Sequence, residues 1–305
     1  MSDFESYDLA DISRNPNRLY ELSDGLVPEM AQALGFELSE TPDVDNLKAF
    51  IGYISPEKTL QDNVALTRER LAKISDVDAV TTTANWVERS GSLNVISRSF
   101  VYPAGDLTRI GFGAAIFNTG VARWQERRAK ELIALKERGV RFGEVIIFAG
   151  NRKMGETEHS EVEAIAKRTG ELPTESDFAS SYIKDMLTAK DIKTDVVAVD
   201  SSNADEIIRE GILRKGYLYD LAILAIGNAP STIQVAAQYR KAARSIEVDE
   251  GFRFDEVGNQ LYMAGDSIPV ARHGENPATH QNPISALGQI ARNALMLYEQ
   301  SKTLN

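Results

Sequence analysis

The chain has 305 residues, 43% of them hydrophobic, and a formal net charge of -11. That length suits two domains or one domain with a large addition, and the composition can bury a sizeable core. The acidic balance disfavours nucleic-acid backbones and anionic membranes as partners, and the lack of cysteine excludes disulfides, zinc–thiolate sites and thiol nucleophiles.

The opening stretch "MSDFESYDLADISRNPNR" is acidic and polar, unlike the basic-then-apolar start of a secretion signal. No apolar run approaches the ~20 residues that cross a bilayer. A cytoplasmic protein is therefore expected. Leu26, Met30 and Leu34 mark a short helix. Thr41-Pro42 is a helix start signal, after which Val44, Leu47, Phe50, Ile51 and Ile54 recur on one face. Ser55-Pro56 repeats the signal, with Leu60, Val64 and Leu71 continuing a second helix, and "LNVISRSFVYPAGDL" reads as a hairpin or an extended segment. Residues 1–105 are thus predicted to be a mainly helical addition to an α/β domain over 106–305.

From Ile110 the pattern turns regular. "IGFGAAIF", "EVIIFA", "DVVAV" and "LAILAI" read as four buried strands. Helices are predicted over 121–138, 161–167, 175–189 and 203–213, with another running to Arg244. The basic run "RWQERRAKELIALKERGVR" reads as the solvated face of the first of these. Continuous apolar strands alternating with helices predict a doubly wound, Rossmann-like parallel sheet covered on both faces. Beyond Arg244, "SIEVDEGFRF" and "QLYMAG" read as short strands, and Leu287, Ile290, Ala291, Ala294, Leu295 and Tyr298 as the stripe of a last helix.

The four strands end in Asn118-Thr119-Gly120, in Gly150-Asn151-Arg152, in Asp200-Ser201-Ser202-Asn203, and in Gly227-Asn228-Ala229-Pro230. In a doubly wound sheet such ends line one edge, where ligands bind in the crevice. Each junction alone is accounted for by capping and turn chemistry. Four on one edge point to a site. No G-x-G-x-x-G follows a strand, and "GNRKMGET" places Glu156 where a P-loop needs lysine, so neither a dinucleotide fingerprint nor an NTPase loop is present. His159, His273 and His280 lack paired-ligand spacing, and the carboxylates of "GETEHSEVE" read as an acidic helix start, so no metal site is expected. No G-x-S-x-G elbow occurs.

The stretch from Ile110 to about Arg244 resembles the YdcF-like domain-of-unknown-function family, with its SanA-type relatives. Gly150 matches the first glycine of that pattern's paired-glycine turn, and Asn151 replaces the second. Thr174-Glu175 matches its Thr-Glu pair, and Ser201, Asn203 and Glu206 match the element after the third strand. Ala204 and Ile207 depart from it. The resemblance implies a small-molecule site for a nucleotide-like ligand, with S-adenosylmethionine or a phosphorylated sugar among the candidates. "IGNAPS" is similar, over six residues, to an element of precorrin methylmutases, and turn chemistry accounts for it.

The expected ligand-binding residues are Asn118, Gly120, Gly150, Asn151, Arg152, Ser201, Asn203, Glu206, Gly227 and Asn228. Glu175 is the candidate acid/base group or ribose contact, or else a helix-start carboxylate beside the Thr174 cap. A transferase or hydrolase is one expectation and a non-catalytic sensing or partner-binding module the other. A small molecule is the expected partner, and an oligomer is left open.

Overall fold

The structure is a computed structural model. It describes residues 31–33, 35–37, 44–54, 66, 69–74, 78, 80–82, 107–156, 158–216, 222–229, 235, 238, 239, 241, 242, 245, 246, 261–267, 282 and 283. The chain forms two compact units, one of Met1–Val95, Ala229–Gln234 and Ser267–Asn305, the other of Ile96–Asn228 and Val235–Asp266. The first unit therefore draws in C-terminal segments that a boundary at 105 assigns elsewhere. The expectations resting on Leu26, Met30, Leu34, Leu60, Val64, residues 93–106, His273, His280 and the last helix lie outside the described residues.

The N-terminal addition is mainly helical where it is described. Helix α1 (Val44–Ile54) buries Phe50 and Ile54 completely, as their spacing predicts. The Phe36 ring lies 5.5 Å from that of Phe50 and 5.2 Å from that of Tyr53, and the Arg70 guanidinium sits 4.0 Å above the Tyr53 ring.

In the second unit, the predicted strands appear as β1 (Gly111–Asn118), β2 (Arg141–Ala149), β3 (Thr194–Ala198) and β4 (Ile223–Ala229). The β1–β2, β1–β4 and β2–β3 pairings are parallel. The "QLYMAG" strand is β5 (Leu261–Ser267), and the sheet order is β3-β2-β1-β4-β5. Helix α2 (Ala122–Glu137) joins β1 to β2. Between β2 and β3 lie α3 (Ser160–Thr169), α4 (Glu175–Phe178), a π-helical turn (Ala179–Ile183) and α5 (Lys184–Thr188). Helix α6 (Ala204–Arg214) joins β3 to β4.

Alternation along each strand feeds two cores. Ala115, Phe117, Val145 and Ile147 pack with Leu132 of α2, Val162 of α3 and Phe178 of α4. Ile116, Ile146, Phe148 and Ala225 pack on the other face with Ile207 and Ile208 of α6 and with Val235 and Tyr239 beyond β4. The chain steps from β1 to β2 to β3 on the first face. It then crosses back past β1 to β4 on the second, as right-handed crossovers require when a chain reverses direction in a sheet. The fold is a doubly wound, Rossmann-like α/β sheet, and its order reverses between β1 and β4.

Three expectations change. Strand β4 runs to Ala229, so Gly227 and Asn228 lie within it rather than in a turn. The polar residues ended the apolar run but not the extended backbone. Ser245 and Ile246 are helical rather than extended, because Val235, Tyr239, Ala242 and Ile246 share one buried helical stripe. The basic run on α2 is not wholly solvated, since Gln125 and Arg128 fall on the stripe of Ala122, Ala129, Leu132 and Leu135 and are buried with it. No helix among the described residues is long and apolar enough to cross a membrane.

Candidate functional site

The carboxyl end of β1 is tied to that of β2 through Thr119. Its backbone N–H donates to Phe148 O at 2.8 Å, and its hydroxyl accepts from the Gly150 N–H at 3.0 Å. The same hydroxyl donates to Glu175 Oε2 at 2.7 Å, while Arg152 Nε donates to Glu175 Oε1 at 2.6 Å. Glu175 is held at the first position of α4. Thr174 and Asp177 form a capping box there, and the N–H groups of Glu175 and Ser176 donate to Arg152 O and Gly150 O, both at 3.0 Å. With only 5% of its surface exposed, Glu175 has both carboxylate oxygens occupied by protein donors.

Arg152 extends the network. Its two terminal nitrogens donate to Glu158 at 2.8 and 3.2 Å, a bidentate fork. Glu158 also accepts from the N–H of Gly155 at 2.8 Å and from that of Ala122, the first residue of α2, at 3.2 Å. The preceding residue, Val121, offers α2 no side-chain cap, so Glu158 supplies the anion that a helix N-terminus favours. Burial works to raise the Glu158 carboxyl. The Arg152 fork and the two backbone donors outweigh it and hold the group below the ordinary carboxylate value. Arg152 is shifted upward, first by its bonds to Glu158 and then, against the effect of burial, by those to Glu175.

The third strand end folds over the second. Asn151 N–H donates to Ser201 O at 2.9 Å, and its side-chain amide donates to Asp200 Oδ1. Ser201 donates to Glu206 Oε2 at 2.6 Å and accepts from the Asn203 N–H at 3.0 Å. Asn203 is the N-cap of α6, its Oδ1 accepting from Asp205 N–H at 2.9 Å. A side chain at Gly150 would begin 2.6 Å from Ile207 Cδ1 and 2.7 Å from Ser201 O. Only glycine lets these two strand ends close up.

At the end of β1, Arg128 reaches up from α2 and donates to Asn118 O, and Gln125 Nε2 donates to Gly120 O at 2.8 Å. Burial lowers the Arg128 guanidinium to about 10, opposed by Tyr239 and Glu175.

The structure thus brings Asn118, Gly120, Gly150, Asn151, Arg152, Glu175, Ser201, Asn203 and Glu206 to one edge of the sheet. Gly227 and Asn228 lie at the corresponding end of β4. Sequence reasoning named Thr119 only as part of a strand end, without a role, and missed Gln125, Arg128, Glu158 and Tyr239. Gln125 and Arg128 carried a signal, as polar residues on an apolar helical stripe, whereas the others are joined only by long-range folding. Among the described residues, no group of three acidic or histidine side chains converges to hold a metal ion. His159 caps α3, accepting from Glu161 N–H at 3.1 Å. A cavity of about 340 Å³ opens at the opposite, amino edge, beside Lys136, Arg141, Glu144 and Lys193. Lys136 there donates to the carbonyls of Lys190 and Asp191 and Lys193 pairs with Glu144, so this pocket belongs to the loops at the sheet's base.

The chain is a Rossmann-like α/β protein with a polar network across its strand ends. No family model and no curated protein matches it. Among solved structures it is similar to the signal recognition particle receptor FtsY from Elizabethkingia anophelis. That match has 11% identity and a TM-score of 0.25, covering 96% of this chain and 97% of the other. At that score the fold is read from the sheet itself.

Proposed function

We propose that the protein binds a nucleotide-like or phosphorylated small molecule, such as S-adenosylmethionine or a sugar phosphate, at the carboxyl ends of its parallel strands. The observation that carries this reading is the reversal of strand order between β1 and β4, because ligands of doubly wound sheets lie outside the carboxyl ends at such a switch point. The YdcF-like pattern at Gly150, Thr174-Glu175 and Ser201 to Glu206 supports it.

Two forms of the activity follow. A transferase or hydrolase would use Glu175 as acid or base. A non-catalytic sensing module would use it as a tie between strand ends. The second is favoured by the engagement of both Glu175 oxygens by Thr119 and Arg152.

The test is a thermal-shift panel of S-adenosylmethionine, nucleotides and sugar phosphates. A ligand specific to the folded state adds about 2.7 kcal/mol at a hundredfold excess over Kd, so a true binder gives a clear rise. A panel without a stabiliser would remove the proposal.

A further inference from the structure

Resting on that reading, a more specific feature lies at the switch point itself. Asn118 is the last residue of β1 and pairs in register with Phe148. Alternation from Ala114 and Ile116, which face the α6 side, puts the Asn118 side chain on that same face. Tyr239 packs there too, its ring centroid 6.4 Å from that of Phe148. Both side chains therefore adjoin Phe148 on the same face of the sheet, Asn118 from the strand end that borders β4. Asn118 is 6% exposed and Tyr239 2%.

Each carries a buried polar atom with no hydrogen-bond partner among the described residues, Asn118 Oδ1 and the Tyr239 hydroxyl. Unpaired buried polar atoms are costly and uncommon. Asn118 Nδ2 is directed at Thr119 O, 3.5 Å away, which leaves Oδ1 as a pure acceptor. Burial pushes the Tyr239 phenol well above its ordinary value, against a smaller opposing pull from Arg128, so it stays protonated and can donate. Arg128, bonded to Asn118 O, fixes the backbone at the end of β1.

We infer that a ligand hydroxyl, of the sugar or ribosyl class, is read at this point between Asn118 Oδ1 and the Tyr239 hydroxyl. One hydroxyl donates to the first and accepts from the second. A phosphate oxygen would accept from the tyrosine but oppose Oδ1, so the phosphate of a sugar phosphate lies elsewhere on the edge. Sites built to pair with a hydroxyl discriminate strongly against analogues that lack it.

The experiment uses the full chain with ribose 5-phosphate, adenosine and inorganic phosphate as probes, measuring melting temperature and affinity. Ribose 5-phosphate or adenosine should bind the wild type more tightly than inorganic phosphate does. Tyr239→Phe should keep or raise the unliganded melting temperature while weakening the sugar-bearing probe about tenfold, the effect of one lost hydrogen bond. Asn118→Leu should weaken it similarly, and if that variant fails to fold, Tyr239→Phe alone decides. Unchanged affinity in Tyr239→Phe overturns the hydroxyl site and leaves the ligand-binding reading standing. A lowered unliganded melting temperature with unchanged affinity identifies a structural water as the bridge and also overturns it. A wild type that answers to none of these probes overturns the hydroxyl site, and the wider panel of S-adenosylmethionine, nucleotides and sugar phosphates then decides the ligand-binding reading.

Discussion

Thr119 and Glu175 stand 56 residues apart in the chain, and the hydroxyl of one meets the carboxylate of the other at 2.7 Å beneath the strand ends. That hydroxyl serves two masters, since it also accepts from the Gly150 N–H. Thr119→Val keeps the shape but strands a buried carboxylate oxygen and a backbone donor. The expected loss is about 2–3 kcal/mol, read as a shift in denaturant midpoint at constant slope. Thr119→Ser should recover most of it. A valine variant as stable as the wild type would mean that the hydroxyl does not tie β1 to α4.

Asn203 offers a choice between two roles that the sequence left open. Its Oδ1 accepts from the Asp205 N–H, which makes it the N-cap of α6. Asn203→Ala should cost about 1 kcal/mol, and Asn203→Asp should cost little, because aspartate caps equally well. If instead the alanine variant melts like the wild type but loses its response to a ligand, the side chain faces the crevice and the cap is incidental.

The sheet was legible because buried parallel strands must be apolar on both faces, so "IGFGAAIF", "EVIIFA", "DVVAV" and "LAILAI" stand out without any contact information. The edge followed from the same regularity. The roles along that edge did not, for three physical reasons. Asn203 and Ser201 have side chains that suit a helix start as well as a ligand, and only coordinates separate the two. Glu158 belongs to an acidic stretch that looks solvated, yet the loop after β2 folds it back onto Arg152 and the start of α2. Gln125 and Arg128 could have been found, because steps of three and four from Ala122 to Leu132 pass through both. Their charge and polarity drew attention to solvent instead of to the buried stripe.

Gly211 shows how close helix and sheet come on the second face. A side chain there would begin 2.4 Å from Phe148 Cδ1 and 2.5 Å from Cγ. In an exposed helix, Gly→Ala stabilises by about 1 kcal/mol. Here the ring is fully buried in a packed core, so overpacking should outweigh propensity. Gly211→Ala is expected to lose about 1–3 kcal/mol, with Phe148→Leu in the same chain restoring part of it. Additive losses in the double variant would show that the two sites do not meet.

Acid sensitivity should be traceable to Glu158. Four donors hold its folded carboxyl below the ordinary value of 4.5 despite the opposing effect of burial. A group whose folded value is depressed contributes stability in full above its unfolded value. As pH falls, the unfolded chain takes up the proton first, so the contribution shrinks from about the ordinary value downward and is gone below the folded one. Glu158→Gln removes this dependence. It also breaks the Arg152 fork, so the variant should be less stable than the wild type at pH 7. The gap should narrow steadily as the solution is acidified through the carboxylate range, measured as the difference in denaturant midpoint at each pH. A gap that stays constant from pH 7 to pH ~3 would mean that Glu158 titrates alike in folded and unfolded chains, and that Arg152, Gly155 and Ala122 do not stabilise its charge.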